Sequence, residues 1–131
     1  MIELGRIEKG WGFEILWCNN EKYSGKLLVF DRQGATTSMV YHSERRKSWF
    51  VNEGTFKLIF CDTKTGEFRD IELATGSAFE IAALNPHQLT CMSESGIIFE
   101  VGTTENGEDR YRISPGDSQK PRPAPPPSLE S

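Results

Sequence analysis

The chain has 131 residues, 37% hydrophobic and 26% charged, with a formal net charge of −4. That length suits one domain large enough to bury a core. No apolar run approaches the roughly 18–20 residues that span a bilayer, and the acidic balance leaves no broad basic footprint, so neither a membrane nor nucleic acid is expected as a partner. The opening MIELGRIEKG carries no signal-peptide apolar region. Three cysteines, Cys18, Cys61 and Cys91, are odd in number, far apart and without a CxxC. They read as small apolar thiols in a reducing cytoplasm rather than as a zinc knuckle or a nucleophile.

In chain order, residues 1–10 read as an arm with a short strand. Trp11–Cys18 and Lys22–Arg32 follow, rich in aromatic and branched residues and separated by the turn signal Asn19-Asn20. Further strand-like runs are Thr37–Ser43, Lys47–Asn52, Thr55–Cys61, Glu67–Leu73, Ala78–Ala82, Gln88–Ser93 and Ile97–Val101. Turn residues stand between them at Arg32-Gln33-Gly34, Glu53-Gly54, Lys64-Thr65-Gly66, Thr75-Gly76 and Ser95-Gly96. No dozen residues hold apolar positions at i, i+3, i+4, i+7, so long helices are not expected. Short strands at this spacing predict an all-β antiparallel sandwich or barrel. From Ser114 onward the composition changes, and this segment holds six of the seven prolines. Residues 1–116 therefore read as the domain and 117–131 as a flexible proline-rich tail.

The only two histidines, His42 and His87, fall in the two most distinctive segments, Gly34–Gly54 and Gly76–His87. Strand alternation places residues 38, 40, 42 and 44 on one face, so His42 and Glu44 point the same way. His87 opens a strand after the turn Ala83-Leu84-Asn85-Pro86. Two imidazoles from separate strands suit a divalent metal pair, but one core and one turn histidine would give the same pattern. Trp49 and Val51 share the face of Lys47, so Trp49 is expected to line the same pocket, while core packing is the expected role of Val51.

Gly76–His87, GSAFEIAALNPH, resembles the cupin element G-x-x-x-x-I-P-P-x-x-P-H, with Ala82-Ala83 where prolines are usual. Lys9–Glu14, KGWGFE, resembles the K-P-W-G-x-E entry of the type II mannose-6-phosphate isomerase-like cupins. Lys22–Lys26 and the exit Glu100–Arg112 also resemble that group, so the likeness covers roughly residues 7–117. It implies a cupin jelly-roll (double-stranded β-helix) barrel, a homodimer, and metal-dependent sugar-phosphate isomerase-type chemistry. The four metal-ligand positions of such cupins fall here on Val40, His42, Lys47 and His87. Valine cannot coordinate, and an ammonium repels a divalent ion.

Three readings follow. In one, Glu44 replaces the lost carboxylate, and His42, Glu44 and His87 hold one divalent metal (Fe, Mn, Zn or Ni) for an isomerase-like enzyme or an Fe(II) facial-triad oxygenase. In the second, no metal is bound. Lys47, beside the histidines and Trp49, then binds an anionic small molecule such as a sugar phosphate and serves as acid or base. In the third, the protein is a non-catalytic carbohydrate- or protein-binding cupin with a Lys47–Glu44 ion pair inside it.

Overall fold

The computed structural model describes residues 3–118, and among them there is no helix. The strands are β1 Gly5–Lys9, β2 Gly12–Asn19, β3 Ser24–Phe30, β4 Met39–Tyr41, β5 Lys47–Glu53 and β6 Phe56–Asp62. They continue as β7 Glu67–Leu73, β8 Ala78–Ile81, β9 His87–Cys91, β10 Gly96–Gly102 and β11 Tyr111–Ser114. All pairings are antiparallel. They build a six-stranded sheet in the order β1-β2-β3-β10-β5-β8 and a five-stranded sheet in the order β11-β4-β9-β6-β7. The two sheets form an open jelly roll rather than a continuously hydrogen-bonded barrel.

The core lies between the sheets. Phe30 of β3 meets Phe56 of β6 edge-on with ring centroids 4.9 Å apart, and Trp11, in the β1–β2 turn, stacks on Phe30 at 4.5 Å. Leu28, Val51 and Ile98 from the larger sheet face Leu58, Leu73 and Leu89 from the smaller. The β5–β6 turn needs its glycine. Gly54 has φ +94°, and a Cβ there would lie 2.6 Å from the Ser95 carbonyl oxygen.

Two departures from the sequence reading bear on the site. The expected strand Thr37–Ser43 is ordered as a strand only over Met39–Tyr41, because Thr36 and Thr37 bond individually to β9 and the chain turns away at His42. A strand that the sequence did not announce, β11, pairs with β4 and covers the open edge of the smaller sheet. The domain's contacts also run past residue 116. Asp117 accepts the Thr36 main-chain N–H, and Trp11 donates its indole N–H to Ser118. The rest of the proline-rich tail lies outside the described residues.

Phe56 is fully buried at the junction of the sheets. Phe56→Ala is expected to cost about 3–5 kcal/mol in a urea unfolding titration, from lost transfer energy plus the cavity left behind; a cost below about 1 kcal/mol would mean the sheets do not close on this ring.

Candidate functional site

In three neighbouring strands, alternation turns polar side chains inward and apolar ones outward. Glu14 of β2, Lys26 of β3 and Glu100 of β10 are buried, whereas Trp17, Phe99 and Val101 are exposed. Register then fixes the neighbours, with Lys26 opposite Glu100 and Glu100 opposite Trp49 of β5. Lys47, Trp49 and Val51 all point inward from β5, as their alternation predicts. The loop after β4 adds Arg45, which is buried.

These groups form one charged network. Glu100 takes a 2.7 Å hydrogen bond from Trp49 Nε1 and lies 3.1 Å from Arg45, 3.6 Å from Lys47 and 3.7 Å from Lys26. Lys26 also reaches Glu105 at 2.8 Å and Glu14 at 3.4 Å. Burial alone would push the Glu100 carboxyl up, but Lys47, Lys26 and Arg45, with the Trp49 hydrogen bond, hold it well below the usual carboxylate range. Within this network the charges balance: the buried Glu14 and Glu100 and the part-buried Glu105 against the buried Lys26, Arg45 and Lys47.

The histidines meet this network from the smaller sheet. His42 Nδ1 lies 2.6 Å from the Asp109 carbonyl oxygen and His87 Nδ1 lies 2.8 Å from the Asn85 carbonyl oxygen. A carbonyl only accepts, so each Nδ1 carries the proton and each Nε2 keeps its lone pair. The rings lie 5.8 Å apart, and Leu84 N–H donates to the His42 carbonyl, tying the two loops together. His42 Nε2 accepts from Lys47 Nζ at 3.4 Å. His87 Nε2 is buried with no hydrogen-bond partner among the described residues.

Desolvation, then the Lys47 charge, lowers His42 to about 4 and His87 well below its usual value, so both rings are neutral acceptors at pH 7. Desolvation also lowers Lys47, against the pull of Glu100, to about 8. Lys47, Trp49, His87, Glu100, Trp11 and Arg110 line a cavity of about 40 Å³. That is room for a water or two, or for one polar group of a ligand.

Of the residues singled out in the sequence, His42, Lys47, Trp49 and His87 come together and Glu44 does not. Glu44 is exposed, on an outer cleft with Glu21, Lys22 and Asn106. Alternation misplaced it because β4 stops at Tyr41 and residues 43–45 form a turn around Asp109. That carboxylate accepts the Ser43 hydroxyl and the main-chain N–H groups of Ser43, Glu44 and Arg45. The interior partner of Lys47 is Glu100, not Glu44. Among the described residues no three His, Cys, Asp or Glu side chains gather as metal ligands. Two imidazole nitrogens, one of them already accepting from an ammonium, do not fit a divalent ion.

Several site residues were not assigned to the site from the sequence, although they fall inside the segments Lys9–Glu14, Lys22–Lys26 and Glu100–Arg112. Glu14, Lys26 and Glu100 each interrupt an apolar run, which reads as the solvent face of a strand. The signal that could have found them is their sharing of that position in three strands. Asp109 fell within the exit segment Glu100–Arg112, but nothing local aimed it at His42, 67 residues away.

Solved structures identify the architecture. KdgF from a Halomonas species superposes with a TM-score of 0.61 at 18% identity, covering 73% of this chain and 81% of its own. Oxalate decarboxylase from Bacillus subtilis gives a TM-score of 0.74 at 14% identity over 85% of this chain. CapF, crystallised with the inhibitor 3-isopropenyl-tropolone, gives 0.73 at 11% identity over 87%. All three are cupin-fold proteins. The chain has the cupin fold. It spans only 30% of the oxalate decarboxylase chain and 35% of CapF. No family model matches it, and no curated protein matches its sequence.

Slight burial pushes the Asp109 carboxyl up, but the hydrogen bonds from Ser43, Glu44 and Arg45 outweigh it and hold it at about 2, against 3.8 for a free aspartate. A depressed carboxylate stabilises the fold fully above its unfolded pKa and loses that contribution as pH falls through the folded one. The difference in melting temperature between wild type and Asp109→Ala is therefore expected to be constant above about pH 5 and to shrink as pH falls from about 4 toward 2. Circular dichroism melts across that range check it, and a pH-independent difference would rule out the carboxylate clamp.

Proposed function

We propose that the protein is a small-molecule-binding cupin whose inner cavity takes the polar end of a hydroxylated anion of the sugar-phosphate kind. One observation carries this reading: a buried acceptor without a partner, His87 Nε2, shares a cavity with the Lys47 ammonium. An unpaired buried lone pair is costly, and a ligand hydroxyl would satisfy it. An anionic oxygen of the same ligand would accept from Lys47, with Lys26 and the Arg110 guanidinium as further cations in the lining. A cavity of about 40 Å³ admits one such group, so the remainder of the ligand lies toward the mouth.

An isomerase needs a Lewis acid to polarise a carbonyl and a base to move a proton between carbons. This donor set offers only the second, through Lys47 and His42. The site is therefore one for binding. In a buffer with chelator, isothermal titration with hexose 6-phosphates is expected to give saturable binding. Lys47→Met and His87→Ala should each weaken it about tenfold or more, the worth of one hydrogen bond to a charged or buried group. Absence of binding to wild type, or equal binding by His87→Ala, would overturn the reading.

The homodimer also has a surface in its favour. The outward face of the six-stranded sheet carries Trp17, Phe50, Phe99 and Val101, all exposed, and contiguous apolar surface of this kind marks a contact site. At its two edges lie the ion pairs Arg6–Glu8 and Arg46–Glu80. Each edge presents both signs, so a two-fold-related copy of this chain can set unlike charges against each other. Sedimentation is expected to show a dimer that Phe50→Glu and Phe99→Glu convert to monomer; a monomeric wild type at 100 µM or so would refute it.

A further inference from the structure

We propose that Lys47 is a tethered cation that stands permanently against His42, where its charge takes the place of a metal ion that the two histidines would otherwise hold. The geometry points to this from both sides. The two imidazoles are arranged as metal ligands are: each gives its Nδ1 proton to a carbonyl oxygen and keeps its Nε2 lone pair for the interior. What one of those lone pairs meets is the Lys47 ammonium, at 3.4 Å. On its other side Lys47 faces the Glu100 carboxylate at 3.6 Å and the Trp49 ring at 5.2 Å to the centroid. An acceptor nitrogen, a carboxylate and an aromatic face are what a cation requires, and here a side chain of the protein supplies the cation.

The charge count carries the argument further. Two buried carboxylates, Glu14 and Glu100, and the part-buried Glu105 face three buried cations, and Lys47 is one of the three. A divalent ion added to this balanced network would leave two uncompensated charges in the interior. Remove the lysine charge and the network is left one negative charge in excess, with two imidazole nitrogens turned toward it. Lys47 thus is the one residue whose charge excludes a divalent ion, and without it the two imidazoles would offer two ligands beside an uncompensated negative charge. Arg45 and Lys26 do not share the role, since their contacts are to Glu100, Glu105 and Glu14 and neither is bonded to a histidine.

This inference extends the reading of the pocket given above and can fail separately from it, because metal titration reports on Lys47 and sugar-phosphate titration on the ligand. The experiment is elemental analysis and calorimetric titration of the full chain with Mn(II), Fe(II), Zn(II) and Ni(II) salts. Wild type is expected to take up no stoichiometric metal. Lys47→Gln removes the charge, and Lys47→Glu also adds a third ligand. Each should bind at least one of these ions about a hundredfold more tightly than wild type, because a unit charge a few ångströms away in a protein interior outweighs two tenfold steps in affinity. The gain should disappear in Lys47→Gln/His87→Ala. Stoichiometric metal in wild type overturns the proposal whatever the variants do. Folded Lys47→Gln with no gain also overturns it and reduces Lys47 to an ordinary ion pair of the core. If Lys47→Glu fails to fold, Lys47→Gln and wild type still decide.

Discussion

The Glu100 carboxylate is the constraint on which the interior is built. It is almost entirely buried, and it is the one group in contact with Lys26, Arg45, Lys47 and Trp49 together. Those four side chains come from β3, the loop after β4, and β5, so a single carboxylate joins elements that the chain separates widely. A buried charge of this kind contributes little net stability when satisfied. Deprived of one partner, however, it leaves an uncompensated ion costing roughly 3–5 kcal/mol. The arrangement therefore specifies geometry more than it adds stability: Lys47 can lie only where both Glu100 and His42 accept it.

A second constraint acts on the histidines through main-chain carbonyls rather than side chains. Asp109 works twice, its carboxylate gathering the turn after β4 and its own carbonyl fixing the His42 tautomer. Asn85 does the corresponding work for His87 with its carbonyl, at the end of a turn in which Leu84 adopts φ 69°. Non-glycine residues rarely occupy that region, and here the conformation coincides with the Leu84 hydrogen bond to His42. The imidazole pair is thus preorganised by backbone geometry, and Lys47 then decides what that pair can accept.

Polar residues inside and aromatics outside give the larger sheet an inverted character. Glu14, Lys26 and Glu100 alternate with Phe13, Ile15, Leu27, Phe99 and Val101 along β2, β3 and β10. Hydrophobic alternation locates such strands correctly but assigns their faces the wrong way round at the site end, where the interior is a charged pocket. Farther along, Leu28 of β3 and Ile98 of β10 restore the ordinary pattern and join the core. The strand that begins in the pocket ends in the hydrophobic interior.

The sequence by itself determined the class of fold, most strand positions, and the shared face of Lys47, Trp49 and Val51; whether His42 and His87 meet there it left open. These follow from local signals: turn residues, β-branched and aromatic runs, and period-two alternation within a single strand. Only the tertiary structure decided that Glu44 leaves the site, because that depended on where β4 ends and on a carboxylate at position 109. It also decided that Lys47 pairs with Glu100. That contact spans 53 positions and arises from the pairing of β5 with β10, which no local pattern encodes. Charge compensation in an interior is a sum over all the elements that surround it, and it exists only once they are assembled.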